Sequence, residues 1–329
     1  MRSPRKAVVT GGCGFIGSHI IDKLLDRGIE TYALDDLSTG MLENVRNHFD
    51  NKLFHFVHGD ISNIFEYFSK VRDIDVVFHE AAIASVTRSI TEPELVFQSN
   101  VSSSIKVLNF CKEFGVKKII FASSSAVYGD TKTTDPTTED VIYKPTSPYG
   151  ASKISIENYL YAYWKTFGLE SVCLRYFNVY GPRQSNNEYS GVITIFVDRL
   201  LKNQPPIIYG DGLQIRDFVN IDDVVQANML SMESKDAVGE VFNIGTGVPT
   251  TIKDLVEIAK IILDKKDIES KFTDKRVGDI RKSLPSISKA RKLLGYNPKV
   301  NLQAGLENFI NEIKKSDKYL LLPAGYKVL

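Results

Sequence analysis

The chain has 329 residues, of which 43% are hydrophobic and 25% charged, with a formal net charge of +1 at pH 7; these are ordinary proportions for one large or two ordinary globular domains with a sizeable core. So balanced a charge offers no field for nucleic acid or for an acidic polymer. Cys13, Cys111 and Cys173 are scattered and odd in number, which argues against a disulfide framework or a zinc site and makes a reducing cytoplasm the default. The opening MRSPRKAVVTGG has only a very short apolar run before its glycines. It reads as a buried strand, and neither a signal peptide nor a membrane span is visible.

In chain order, strands are expected at residues 6–11, 30–35, 53–60, 75–82, 117–125 and 173–181. A helix is expected at 18–27, stopped by Gly28, and another from Ser152 onward. Such alternation implies an α/β fold, a doubly wound parallel (Rossmann) sheet with helices on both faces. After Gly181 the rhythm changes. Residues 182–191 are polar and loop-like, and 205–220 carry Pro and Gly punctuation before a short strand. A strand and turn at 238–247 and helices at 254–265 and 288–295 follow. The expected organisation is a cofactor-binding domain over 1–181, completed by part of 215–245, and a smaller α/β substrate domain mainly over 182–329. The apolar end, KYLLLPAGYKVL, leaves docking and disorder both open.

TGGCGFIGSH places Gly11, Gly14 and Gly17 between a strand and a helix. The first glycine permits a tight turn, the second admits a pyrophosphate, and the third lets helix and strand pack closely. The helix N-terminus offers amide hydrogens to the anion. Asp35 ends the second strand at close to the expected offset of about 20 residues. A carboxylate there accepts hydrogen bonds from ribose hydroxyls and repels a 2′-phosphate, which favours NAD over NADP. Asp36 is its neighbour, and either could be a solvated loop charge. Asp60, after the third strand, suits an adenine edge about as well as a strand-end cap.

SPYGASKISIENY holds Tyr149 and Lys153 four residues apart, on one helix face. Oxidising a secondary alcohol removes a hydride and a proton, so a nicotinamide cofactor needs a base beside it. A free tyrosine has a pKa of about 10. An ammonium and a pyridinium nearby both stabilise the phenolate and bring it into range for general base catalysis. FASSSAVYG puts Ser123, Ser124 and Ser125 at a strand end, where doubly wound sheets bind ligands.

TGGCGFIG, the serine cluster and YGASK together resemble the extended short-chain dehydrogenases/reductases. More narrowly, DDLSTG, HEAAIASVTRSITEP, RYFNVYGPRQ, IYGDGLQIRDFVNIDDVVQA, FNIGTG and RVGDIRKS resemble the nucleotide-sugar 4-epimerases typified by UDP-glucose 4-epimerase, from about Lys6 to about Ile313. The resemblance implies a triad of Ser124, Tyr149 and Lys153, with Ser125 as competitor for the serine role. It also implies bound NAD, reduced and reoxidised within each turnover, and a UDP-sugar substrate whose 4-keto form turns over in the pocket. Cofactor contacts carried over are Gly11, Gly14, Phe15, Ile16 and Gly17; Asp35, Asp36, Leu37, Ser38, Thr39 and Gly40; Asp60 and Ile61; Ala81, Ala82, Asn100 and Tyr176, besides Tyr149 and Lys153. On the substrate side it implies Arg216 and Arg276 for the diphosphate, Asp279 for the nucleotide ribose and Asn178 for the sugar diphosphate. Ser85, Arg88, Ser125, Val192, Tyr209, Gln214 and Ser283 join these on the substrate side.

A small residue at Ser283 should leave room for an N-acetyl group, so plain and N-acetylated hexoses are both expected to fit. No metal is implied. A homodimer through helices near 94–114 and 152–167 is expected by analogy. Rival chemistries are UDP-glucuronate 4-epimerisation or decarboxylation, with Arg88 as the extra cation, and 4,6-dehydration. Ser125 and Ala126 stand where dehydratases carry an acidic pair. A non-catalytic NAD-sensing or scaffold protein is the remaining alternative.

Overall fold

The computed structural model describes residues 4–131, 135–184, 191–275 and 280–315. β1 (Lys6–Thr10) carries Ala7, Val8 and Val9 with no exposed surface, as a central parallel strand covered on both faces requires. It leads through the glycines into α1 (Phe15–Asp26), which starts three residues earlier than the apolar pattern predicts. The chain continues through β2 (Glu30–Asp35), β3 (Phe54–His58), α2 (Ile64–Phe68) and β4 (Val76–His79). Two short helices, α3 (Val86–Thr91) and α4 (Pro93–Phe97), precede α5 (Ser103–Glu113). Between α4 and α5 lies a π-helical turn, Gln98–Ser102. Then come β5 (Lys118–Ser124), α6 (Pro148–Phe167) and β6 (Glu170–Tyr176).

The second half contains β7 (Asn178–Tyr180), α7 (Val192–Leu201), β8 (Ile207–Tyr209), β9 (Ile215–Arg216), β10 (Phe218–Asn220) and α8 (Ile221–Glu233). It continues with β11 (Val241–Ile244), β12 (Thr250–Thr251), α9 (Ile252–Leu263), β13 (Lys271–Thr273), β14 (Lys282–Ser283), α10 (Ser288–Leu294) and α11 (Leu302–Lys315). Seven strands form one sheet in the order β11-β6-β5-β4-β1-β2-β3, every pair parallel. This is the doubly wound Rossmann sheet expected from the alternation of strands and helices. α8 and β11 belong to it, although they come late in the chain.

One apolar layer, with Ile20, Leu24, Val224 and Phe242, fills the face under α1 and α8. The opposite face, under α2, α5 and α6, holds Phe68, Leu108, Phe110, Ile156 and Leu160. A third cluster joins α7, α9 and α11 around Phe196, Leu255 and Phe309.

Two expectations are corrected. The sixth strand, predicted at 173–181, runs from Glu170 to Tyr176. Phe177 leaves the sheet to pack with Val127 and Tyr128, and β7 pairs with β10 in a separate parallel ladder. A continuous apolar run does not show where a chain changes partner. The helix predicted from Ser152 begins at Pro148, with the Ser147 hydroxyl accepting the Gly150 N–H at 3.1 Å. Serine as cap and proline at the first position are ordinary start signals, and they put Tyr149 in the first turn.

Candidate active site

At the centre of the sheet the strand order reverses between β1 and β4, which is where doubly wound folds bind ligands. Gly11 is left-handed, with φ of +67°, and a Cβ there would stand 2.8 Å from the Ala81 nitrogen. A Cβ on Gly17 would lie 2.2 Å from the Gly11 oxygen. These contacts press the loop against both the next strand and its own helix. Gly14 precedes α1, so Phe15, Ile16 and Gly17 form the helix's first turn at this crevice, where amide hydrogens face an anion. Residues and shape fit a dinucleotide pyrophosphate.

Asp35 is buried, and its carboxylate accepts from Cys13 N–H at 2.9 Å and Leu37 N–H at 2.8 Å. Burial raises its pKa, and those two backbone bonds work against the rise. It thus braces the glycine loop, with lone pairs left for ribose hydroxyls. Gly40 lies against the same carboxylate. Asp36 is exposed and closes a local turn onto Ser38, and Thr39 is exposed beyond it. Asp60 caps the turn beginning at Ile61, accepting from Ser62 N–H at 2.6 Å. Across the crevice Ala81 and Ala82 follow β4. Asn100, in the π-helical turn, exchanges two hydrogen bonds with the Ile83 backbone and reaches the Ser152 hydroxyl at 3.2 Å. These bonds pin the segment that follows Ala81 and Ala82.

Tyr149, Lys153 and the serines meet at the carboxyl end of β5. The Ser124 hydroxyl lies near enough to the Tyr149 phenol to favour its ionised form and accepts from Ala126 N–H at 3.1 Å. Ser123 instead donates to the buried Glu157, and Ser125 opens the next short turn. Lys153 is buried, and its ammonium donates to the Ala122 carbonyl at 2.7 Å. Lys153 Nζ lies 4.9 Å from the Phe121 ring centre and 5.9 Å from that of Tyr149. Burial pushes the Tyr149 phenol above its ordinary value and the Ser124 bond draws it down. The ammonium faces the Tyr149 ring.

Beyond β6, Asn178 donates its N–H and its Nδ2 to the Asp217 carbonyl, at 3.1 and 2.9 Å. The Asp217 carboxylate accepts from Thr246 and Gly247. One buried residue thus locks the Asn178, Arg216 and GTG segments together. Ser283 pairs with Arg216 across β14 and β9. Gln214 donates to the Tyr209 carbonyl at 2.9 Å, and Val192 opens α7. Ser85 caps α3 by accepting the Arg88 N–H at 3.0 Å. Arg88 Nε is 3.2 Å from Glu92 Oε1. Arg276 and Asp279 lie outside the described residues.

A profile described as the NAD dependent epimerase/dehydratase family matches residues 7–245. The chain belongs to that family. It is 38% identical over 314 residues to a putative UDP-glucose 4-epimerase of Methanocaldococcus jannaschii, covering 94% of this chain and 99% of the relative. Among solved structures it resembles UDP-glucose 4-epimerase of Thermotoga maritima with UDP-glucose, with a TM-score of 0.89, 40% identity, and 94% and 99% coverage. UDP-N-acetylglucosamine 4-epimerase of Methanobrevibacter ruminantium M1, in complex with UDP-N-acetylmuramic acid, gives a TM-score of 0.88, 39% identity, and 96% and 99% coverage. As a member of the epimerase/dehydratase family, this chain is an enzyme, an isomerase whose cofactor is NAD.

Some neighbours of the reactive groups escape sequence reasoning. Glu157 and Arg175 form a buried ion pair at 2.6 Å behind Ser123. His79 bridges Thr10 at 2.7 Å and Ser104 at 2.8 Å. Burial, reinforced by the charge of Lys153, lowers its pKa to about 3 and keeps it neutral. Glu80 accepts from Tyr176 Oη at 3.0 Å. Charged residues inside a strand or core helix were the available signal, since such groups are buried only when partnered.

Proposed function

We propose that this isomerase inverts the fourth carbon of a UDP-hexose, interconverting UDP-glucose and UDP-galactose and the corresponding N-acetylated pair. The meeting of Tyr149 and Lys153 of α6 with Ser124 at the end of β5 carries this reading, because it sets a phenol, an ammonium and a hydroxyl together where a sugar 4-hydroxyl must give up its proton. Bound NAD supplies the redox half of the reaction, taking hydride from the fourth carbon and returning it. Tyr149 receives the hydroxyl proton and gives it back, and Ser124 orients the phenol and the sugar oxygen. Lys153, anchored on the Ala122 carbonyl, holds positive charge beside the phenol. The glycine loop, Asp35, Tyr176 and the segment pinned by Asn100 would hold the cofactor. Arg216 and Asn178, locked through Asp217, hold the diphosphate firmly while the hexose is free to turn.

Ser283, small and beside Arg216, supports access by an N-acetyl group. A glucuronate carboxylate asks for a spare cation, and Arg88 is engaged by Glu92, which favours the uncharged hexoses. Ser125 and Ala126 provide no acid for dehydration. The test is incubation of the purified protein with a panel of UDP-sugars without added NAD, followed by product identification. Inversion at the fourth carbon is expected for both plain and acetylated substrates. Failure to invert either one removes the proposal.

We further propose a cytoplasmic homodimer. The three cysteines are free and buried, in keeping with a reducing compartment. Among the described residues no helix is long and apolar enough to cross a membrane. Leu95 and Phe97 on α4 and Tyr161 and Phe167 on α6 are large and exposed, and α4 packs on α6. A second copy would cover this apolar face.

A further inference from the structure

Thr10 ends β1 immediately before the glycine loop, and His79 ends β4 as its register partner. Both are buried, as are Ser104 of α5 and Asn100 of the π-helical turn. A line of hydrogen bonds runs through them. The Ala81 N–H donates to Thr10 Oγ1 at 3.3 Å, and Thr10 Oγ1 lies 2.7 Å from His79 Nδ1. On the far edge of the ring, His79 Nε2 lies 2.8 Å from Ser104 Oγ, which donates to the Asn100 carbonyl at 2.6 Å. The Asn100 side chain in turn accepts from the Ile83 N–H at 2.8 Å and donates to the Ile83 carbonyl at 3.1 Å. The line therefore closes on itself. Ala81, packed against Gly11, is held by Thr10; Ile83 is held by Asn100; and His79 joins the two holders.

The protons of this circuit have one consistent arrangement. The Ser104 proton goes to the Asn100 carbonyl, so Ser104 Oγ accepts from the ring and His79 Nε2 carries a proton. Thr10 Oγ1 accepts from the Ala81 N–H and gives its own proton to the bare Nδ1. The opposite tautomer would leave the Thr10 proton without an acceptor among the described residues and would pull Ser104 off the Asn100 carbonyl. Histidine suits the place because one rigid ring offers an acceptor on one edge and a donor on the other, so the line passes through without reversing. An apolar ring would fill the same space and break the line at both edges, leaving buried hydroxyls unpaired.

We propose that His79, as its Nε2–H tautomer, is a positioning residue for NAD: acting through Thr10 and Asn100, it fixes segment 81–83 against the glycine loop and so presets the seat of the cofactor. A seat already held in shape binds without the cost of ordering it. The circuit therefore contributes to the retention of NAD, whichever sugar the enzyme acts on. One break is enough to release the segment, because each of its two holders is steadied by the other through the ring.

The experiment measures the NAD dissociation constant of the full chain by calorimetry, together with the NAD left on the loaded protein over time after gel filtration. In His79→Phe the affinity is expected about tenfold weaker, with a matching loss of retention. Thr10→Val and Ser104→Ala then break the circuit at opposite edges of the ring, at hydroxyls bonded to His79 and not to each other. Each alone should weaken NAD about tenfold, and the two together little more than either. Two residues that only filled space would act independently, and their effects would multiply to about a hundredfold. Nitrogen NMR of the histidine-labelled, NAD-bound wild type should show the His79 ring protonated on Nε2 and bare on Nδ1, its signals assigned by their loss in His79→Phe. Unchanged NAD affinity in His79→Phe overturns the proposal, and so does a ring protonated on Nδ1. Should His79→Phe not fold, the Thr10–Ser104 comparison decides alone: multiplying effects overturn the proposal and shared ones uphold it.

Discussion

Burial pushes Tyr149 away from the protonation state that its proposed role as base needs, and the Ser124 hydroxyl pulls it back. Ser124→Ala therefore raises the phenol further and moves the acid limb of the rate profile to higher pH. Each unit of that movement lowers turnover near neutrality about tenfold, and a steady-state pH series measures it. Tyr149→Phe removes the proton acceptor altogether. Turnover should drop about 10²- to 10⁴-fold, while UDP-sugar affinity measured by calorimetry stays close to wild type. Near-normal activity in that variant would dismiss Tyr149 as the base. The arrangement of Lys153 adds a refinement: its ammonium is anchored on a backbone carbonyl and so presents a fixed charge.

Individual elements hold these groups through a few buried contacts. Arg175 of β6 and Glu157 of α6 are almost fully buried, at 2% and 4% side-chain exposure. Arg175 Nη1 also donates to Tyr128 Oη at 2.8 Å, and Tyr128 donates to Asn243 of β11 at 2.6 Å. One guanidinium thus ties β6, α6, β11 and the turn after β5 together behind the serines. Arg175→Met keeps the bulk but leaves the buried Glu157 carboxylate with the Ser123 hydroxyl and no paired cation. The expected cost is about 3–5 kcal/mol, readable as a lower denaturant midpoint in equilibrium unfolding. Stability within about 1 kcal/mol of wild type, the scale of a surface change, would show that water satisfies the carboxylate. In α6 the proline at position 148 and the Ser147 cap extend the helix far enough to fix Tyr149 relative to Lys153.

At the scale of the whole molecule, α8 and β11 return from late in the chain to complete the sheet that the first half begins. The exposed apolar side chains of α4 and α6 bear on assembly. Sedimentation should find a dimer at micromolar concentration, and Phe97→Glu combined with Tyr161→Glu should give monomers. A wild-type monomer at that concentration would remove the proposed interface.

Local and periodic features were enough for the strand–helix alternation, the glycine loop with Asp35 and the spacing of Tyr149 and Lys153, because each depends on residues close in the chain. The strand at 30–35 falls where its β-branched and aromatic residues place it. What the sequence left open was decided by contacts between distant segments. Which of three adjacent serines meets Tyr149 depends on how β5 and α6 are packed. Whether Arg88 is spare or paired depends on the turn that brings Glu92 beneath it. That Glu157 is engaged by Arg175 and Ser123 depends on how α6 packs against β5 and β6. Protonation inside a protein follows burial and charge in three dimensions, and those are properties of the packed molecule and not of any short stretch of it.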